Sequence, residues 1–460
     1  MRFLCVLFVG SVVGTLAAEP SKKPNVVLIL ADDLGWTDLG CYGSKYYRTP
    51  HLDALAAGGL RCTHAYTCGP NCQPTRAALM SGQYGPRTGI YTVGGIERFD
   101  WKSRPLRPVD NVVRLPLDRQ TVGNVMKSAG YATALFGKWH LGENAEYHPS
   151  KRGFDEAIVT MGKHFDFVTQ PKVDYPKGTY LADFLTDQAV RFIERHRDRP
   201  FFLYLPHFGV HSPHEAKPDL VAQFKDQPAV GGHNNPTYAA MIASVDESVG
   251  RVLAKLDELK LADNTLIIFT SDNGGVGGYL REGLKTGKEP TDNAPLRAGK
   301  GSLYEGGVRV PWIVRWPGTV PVGTTATPSI SVDLLPTLVQ LSQGQAPPQQ
   351  PLDGVSLLDC WTSGGTKAPV RDLFWHFPGY LGAGQNTWRT TPAGAIRSGE
   401  WKLLEFFETN QLELYNLLTD EGQQHNRAAQ EPEKVKELHT RLRAWRKSVQ
   451  APMPTANKPK

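Results

Sequence analysis

The apolar positions of this chain fall into two kinds of run. NVVLILA (25–31) and TLIIFTS (265–271) are short, continuous and rich in branched side chains, and each stops at acids: Asp32 and Asp33 after the first, Asp272 with Asn273 after the second. Continuous apolarity over so few residues predicts strands buried on both faces. PTYAAMIASVDESVGRVLAKLDEL (236–259) instead spaces its apolar residues three and four apart, which predicts an amphipathic helix. Strands alternating with such helices predict an α/β fold, a mostly parallel sheet flanked by helices. Ligands in these sheets bind beyond the carboxyl ends of the strands, where Asp32, Asp33, Asp272 and Asn273 stand.

The pattern changes after SVDLLPTLVQLSQ (331–343). GQAPPQQPLDG has little to bury, and residues 346–370 are expected to form a linker or a long surface connection. Over 371–448, LFWHF, AIRSGEWKLLEFF and LELYNLL are strand-like runs divided by turn residues, and EPEKVKELHTRLRAWRKSVQ has helical spacing. A small C-terminal α+β subdomain is expected there, an antiparallel sheet plus one helix. The tail, 449–460, lacks apolar periodicity and is expected to be disordered. At the other end, an early Arg2 precedes an apolar run too short to span a bilayer, which reads as a cleaved signal peptide over 1–18. No later run is long enough to cross a membrane, so an exported periplasmic or extracellular protein is expected.

Composition narrows the surroundings more than the chemistry. A formal charge of +6 over 460 residues is mild, and no Lys/Arg run marks a nucleic-acid surface, so no nucleic-acid partner is expected. Of six cysteines, Cys5 lies in the signal segment and Cys72 in a distinctive motif. For Cys41, Cys62, Cys68 and Cys360, export permits a disulfide, with free buried thiols as the alternative. The chain has no Asn-x-Ser/Thr acceptor with a permitted middle residue, which favours a bacterial envelope.

The distinctive motif is CQPTR (72–76), followed by AALMSG and a Gly-Pro-Arg-Thr-Gly turn. It resembles the sulfatase signature C-x-P-x-R. NVVLILADDLGW, TPHLDALAAGGLRCTHAYT, GKWHLG, LPHFGVHSPH, LIIFTSDNGG and LRAGKGSLYEGGVRVP resemble further blocks of that family, in its order. The resemblance covers nearly the whole chain. It implies the alkaline-phosphatase-like fold, with 19–345 as catalytic domain, and hydrolysis of a sulfate monoester to an alcohol and inorganic sulfate. It also implies that a formylglycine-generating enzyme oxidises Cys72 to an aldehyde, whose hydrate is the nucleophile.

Asp32, Asp33, Asp272 and Asn273 offer only oxygen, which suits Ca²⁺ or Mg²⁺ rather than zinc. The resemblance adds matured Cys72 to this metal set and makes Ca²⁺ the usual occupant; for an acid pair alone, helix capping would be the simpler explanation. Arg76, at the start of a helix suggested by TRAALMSG, is expected to contact the hydrate near the positive helix end. Lys138 and His140 lie two apart, so an extended segment would point both to one side. By resemblance Lys138 contacts a sulfate oxygen and His140 abstracts the proton that releases sulfate. His211 protonates the leaving oxygen or binds sulfate. Lys300 contacts sulfate and shares the acid role, its flanking glycines letting backbone approach the ligand. His207 and His214 stand nearby as lesser candidates.

The segment from Phe374 to Phe407 resembles the C-terminal part of bacterial carbohydrate sulfatases, which implies a sulfated carbohydrate substrate. His376, Trp388 and Arg397 are the candidate sugar contacts there, since aromatic and basic groups suit sugar faces and anionic glycans; packing within a small sheet is the competing explanation. Two other functions fit the same motifs: a formylglycine-dependent phosphonate or phosphate ester hydrolase, and a non-catalytic glycan-binding relative with Cys72 unmodified.

Overall fold

The computed structural model describes residues 23–384 and 387–457; the expected signal peptide lies outside them. Asn25–Ala31, every residue of it buried, forms the centre of a nine-stranded sheet. It pairs in parallel with Thr265–Ser271, also wholly buried, on one side and with Phe201–Pro206 on the other. Ala132–Gly137 and the edge strand Glu156–Val159 continue the sheet in parallel. Beyond Thr265–Ser271, Arg309–Arg315 runs antiparallel to both of its neighbours, the outer one being Leu60–Tyr66. Leu60–Tyr66 also carries two short parallel strands, Gly323–Thr325 and Ser329–Ile330.

This arrangement decides where the site lies. Reversing direction twice returns Leu60–Tyr66 to the sense of the centre, so every long strand but Arg309–Arg315 ends at one edge of the sheet. Arg309–Arg315 begins at that edge, so the loop preceding it arrives there too.

Helices Leu181–Arg195 and Pro236–Glu258 cover one face; Cys72–Ser81, Val122–Ser128 and Leu334–Ser342 cover the other. Pro236–Glu258 follows the periodicity read from the sequence. The Asn235 side chain starts it, accepting from the Thr237 and Tyr238 amides at 3.1 Å each, with Pro236 in the first turn. The C-terminal subdomain is an antiparallel sheet of Asp372–Phe377, Ala393–Ser398, Trp401–Phe406 and Gln411–Asn416, with Pro432–Ser448 packed on it through Leu438 and Leu442. Leu373, Trp375 and Phe377 press its other face against Tyr66, Val308 and Ile330. A separate hairpin, Leu381–Gly384 with Thr387–Thr390, projects toward the site.

Two expectations are corrected. The linker contains a helix, Leu358–Thr362, whose Cys360 and Trp361 are buried, because the apolar residues of SLLDCW find a pocket beside Trp312. The tail has structure over residues 449–457, the remainder of the expected tail lying outside the described residues: Thr455–Ala456 pairs with Leu106–Arg107, and Asn457 donates to the Lys102 and Arg104 carbonyls at 3.0 and 2.8 Å. Backbone pairing, which leaves no apolar periodicity, holds it. The described cysteines are all free, and no described helix is long and apolar enough to cross a membrane.

Candidate active site

Register places Ala31 opposite Ser271, so the acids that follow emerge side by side. The Asp33 amide donates to Asp272 Oδ1 at 3.2 Å, and Asn273 Nδ2 donates to Asp33 Oδ1 at 2.8 Å. Asp33 takes a left-handed φ of 66°, a conformation Asp tolerates, and this turns the chain off the strand end. Asn273 Oδ1 is buried without a partner.

Cys72 arrives from the end of Leu60–Tyr66 and is the first residue of a helix running to Ser81, buried throughout. The helix starts earlier than TRAALMSG indicated. Pro74 falls in its first turn, where a missing N–H costs no hydrogen bond. Arg76 therefore sits one turn beyond Cys72 on the same face, rather than at the positive helix end. Its Nε donates to Asp272 Oδ2 at 2.9 Å, Nη2 lies 2.8 Å from the same oxygen as an ion pair, and Nη1 donates to the Lys138 carbonyl at 2.6 Å. Cys72 Sγ lies 3.4 Å from Asp32 Oδ1 and 3.4 Å from Lys300 Nζ.

Lys138 leaves the strand Ala132–Gly137 and pairs closely with Asp32. His140 also lines the cavity, but not by strand alternation: its φ is 62°, and this left-handed turn swings the ring in. His211 follows Phe201–Pro206, with Nε2 3.7 Å from Asp33 Oδ2 and Nδ1 donating to the Ser212 carbonyl at 2.6 Å. Lys300 Nζ donates to Asp33 Oδ1 at 2.5 Å. The glycines beside Lys300 also allow close loop packing. A Cβ on Gly299 would stand 2.2 Å from the Gly277 carbonyl, and one on Gly301 2.2 Å from Leu381.

Burial would raise the Asp32 carboxyl, yet Lys138, His211, Arg76 and Lys300 outweigh it and hold the group well below its usual range. Asp33 is lowered likewise against burial, by Lys300 and His211. Asp272 goes the other way, to about 7, because burial and the Asp32 charge prevail over Arg76 and Lys138. Three buried carboxylates and an orphaned amide oxygen form a donor set that a hard cation would satisfy. Burial and Asp272 push the Cys72 thiol up despite Lys138 and Lys300, so the unmodified side chain is a protonated, weak nucleophile. Burial, Lys138 and Arg76 push His140 well down, leaving a neutral imidazole whose Nδ1 has no partner.

The cavity above these groups is about 280 Å³, with Arg98, Phe99, Leu381, Gly382 and Arg389 around its mouth. A larger cleft of about 900 Å³ adjoins it, sharing Val93 and His140 and lined beyond them by Arg114, Trp139, Glu143 and Gln170.

Not every candidate reaches this cavity. His207 is buried against Ser248 Oγ at 3.0 Å, and burial lowers it to about 4. His214 lies edge-on to Tyr238. His376 is a packing residue bonded through Nε2 to the Pro452 carbonyl at 2.8 Å, and Arg397 is buried with its guanidinium on the Tyr66 hydroxyl. Both belong to the small sheet, on opposite faces of it, and each is buried because the catalytic part covers one face and the C-terminal helix and tail the other. Trp388 packs on Phe99 and Tyr380 and borders the mouth through Phe99. The structure adds Arg98 and Arg389 at the mouth, and His164, which bonds the His211 carbonyl at 2.8 Å and stacks on Phe208.

Residues 24–344 match the family model Sulfatase, and residues 299–448 match N-sulphoglucosamine sulphohydrolase, C-terminal. A Sulfatase of Formosa agariphila is 34% identical, covering 96% of this chain and 93% of its own length. The N-acetylgalactosamine-6-sulfatase of Sus scrofa is 32% identical over 79% of this chain and 71% of its own. Among solved structures, Ps i-CgsB in complex with k-i-k-neocarrahexaose superposes with a TM-score of 0.77 at 30% identity, covering 92% of this chain and 93% of the other.

Proposed function

We propose, because this chain belongs to the sulfatase family and is a sulfuric ester hydrolase, that it releases sulfate from a sulfated carbohydrate with a nucleophile made from Cys72 and a bound Ca²⁺. The observation carrying this reading is Cys72 at a buried helix start, 3.4 Å from both Asp32 Oδ1 and Lys300 Nζ, with its thiol raised and so unsuited to attack as it stands. Conversion to formylglycine by a maturation enzyme would supply a hydrated aldehyde in its place. Asp32, Asp33, Asp272 and Asn273 would hold the cation, which would draw charge from sulfate oxygens.

The remaining work falls to side chains already in position. Lys138 and Lys300, paired with Asp32 and Asp33, would be free to take sulfate oxygens were those carboxylates to hold the cation. Arg76 keeps Asp272 and the Lys138 backbone in place. His211 donates Nδ1–H to the Ser212 carbonyl, which leaves Nε2 on the Asp33 side, 3.7 Å from Oδ2, as the nitrogen free to exchange a proton with the leaving group. Nε2 then protonates the leaving oxygen. His140, neutral and with Nδ1 unpartnered, accepts the proton whose loss frees sulfate.

The sugar class rests on the relatives' substrates and on the adjoining cleft, which gives room beside His140 for more than one ring. Export in a bacterial envelope agrees with the early apolar segment. Residues 19–345 would form the catalytic domain and 371–448 the subdomain that closes its rim. Mass analysis of the peptide carrying CQPTR, after co-expression with a formylglycine-generating enzyme, is expected to show the aldehyde, with aryl sulfate turnover far above aryl phosphate turnover. Equal activity of unconverted protein would overturn the nucleophile assignment, and a preference for phosphate would overturn the substrate class.

A further inference from the structure

The cations around the cavity divide into two groups. Arg76, Lys138 and Lys300 on the floor each face a carboxylate: Asp272, Asp32 and Asp33. Arg98 and Arg389 at the mouth have no carboxylate partner among the described residues, although an acid is close in sequence to Arg98. Glu97 turns away, toward Lys102 at 3.2 Å. Arg98 spends one guanidinium nitrogen on the Val93 carbonyl at 3.1 Å and lies over Phe99. Arg389 lies on the Tyr279 ring, its guanidinium carbon 4.6 Å from the centroid, and its Nε is buried without any partner.

Two guanidiniums on one small cavity repel each other. Arg98 is lowered from its ordinary range first by burial, with Cys72 opposing and Arg389 adding to the shift, so each sits in the other's field. Beyond the rings of Phe99 and Tyr279, no carboxylate among the described residues pairs with either guanidinium to offset this. Arg389 is nevertheless held in place: Tyr279, on which it rests, donates its hydroxyl to the Lys300 carbonyl at 2.5 Å, and a Cβ on Gly301 would come within 3.2 Å of the Arg389 side chain. The arginine is thus fixed to the loop that carries the sulfate-contacting lysine.

From this geometry we infer that Arg98 and Arg389 form a second anion subsite, which takes a further sulfate or a carboxylate on the same substrate molecule as the scissile ester. The inference rests on the sulfatase reading of this cavity and narrows its substrate class. One anion bridging both guanidiniums through their terminal nitrogens would offset their mutual repulsion. The adjoining cleft is a poorer place for that charge. Its lining sets one arginine, Arg114, against one acid, Glu143, and Arg114 is already stacked on Tyr147.

The test uses matured enzyme and three sugar series: sulfated monosaccharides, the same sugars with a second sulfate, and the same sugars joined to a uronate. Nitrophenyl sulfate hydrolysis reports separately on the sulfatase reading. The expected result is a kcat/KM for one dianionic series roughly 10- to 100-fold above the monosulfated one, the scale of a charge-assisted hydrogen bond. In Arg389→Gln and Arg98→Gln that ratio should fall toward one, and the wild-type preference should shrink with added salt. The sulfate and uronate series identify which anion is taken. Nitrophenyl sulfate turnover with no preference between series would overturn the subsite and leave the sulfatase reading standing. Should no sugar turn over, calorimetric binding of the same sugars to Cys72→Ala decides: equal affinities for monoanionic and dianionic sugars would reject the subsite.

Discussion

The floor and the mouth of this cavity are built from different material. The floor comes from ends of neighbouring strands and from the start of a wholly buried helix, and its arginine and lysines are matched to carboxylates. The mouth comes from the short helix Ile96–Arg98 and from a hairpin of the C-terminal subdomain, and its arginines are unmatched. Sheet register fixes the floor, since the strands cannot slip without turning their buried faces outward. Hairpin and short helix lie nearer the surface, anchored to the core through Leu381, so that most of their residues can change without disturbing it. On the proposed function, chemistry is thereby separated from recognition of the sugar.

The strongest way to break this contrast is at the floor. Asp272→Ala removes one proposed metal ligand and leaves Arg76 buried without its main partner. Activity should vanish and stability should fall by about 3–5 kcal/mol, the usual cost of orphaning a buried charge. Chelation of the wild type should abolish turnover with little change in fold, and Ca²⁺ should restore it; recovery with Zn²⁺ alone would contradict the all-oxygen set. Thermal unfolding and sulfate release measure both.

His211, between floor and mouth, should give an intermediate effect. His211→Ala is expected to cost about 10²–10⁴-fold on sugar sulfates, whose alcohols leave poorly, and much less on nitrophenyl sulfate. Equal losses on both esters would move the acid role to Lys300. The smallest effect belongs to the mouth. Trp388→Ala loses ring contacts with Phe99 and Tyr380 worth about 0.5–1.5 kcal/mol each, and should raise KM for sugars several-fold while leaving nitrophenyl sulfate turnover alone. A large drop in kcat for the aryl ester would show that the mouth shapes the floor after all.

The same division explains what was legible in the sequence. Asp32, Asp33, Asp272 and Asn273 were readable because a buried strand leaves a continuous apolar run and stops abruptly at polar residues. The ordered motifs carried Cys72, Lys138, His140, His211 and Lys300. Local geometry was less legible. The left-handed turn at His140 and the start of the helix at Cys72 depend on tertiary partners that spacing does not encode. At the mouth, residue type chose His376 and Arg397, yet both faces of the small sheet are covered, which buried the two of them on opposite sides. Arg389, adjacent to Trp388 and on the opposite side of its strand, was the one that reached the cavity. Arg98 had no motif around it, and nothing in the chain signals that Glu97 pairs elsewhere.

The single reversed strand, Arg309–Arg315, has a practical consequence. Because it alone begins at the catalytic edge, its exit at Trp316–Gly318 joins the turns at Arg197–Arg199 and Ala262–Asn264 on the opposite rim of the sheet. Gly318, Thr319 and Asp198 are exposed there. A surface cysteine or a grafted peptide handle on that rim would tether the enzyme to a solid support with its cavity turned outward, toward a glycan too large to diffuse into a bead.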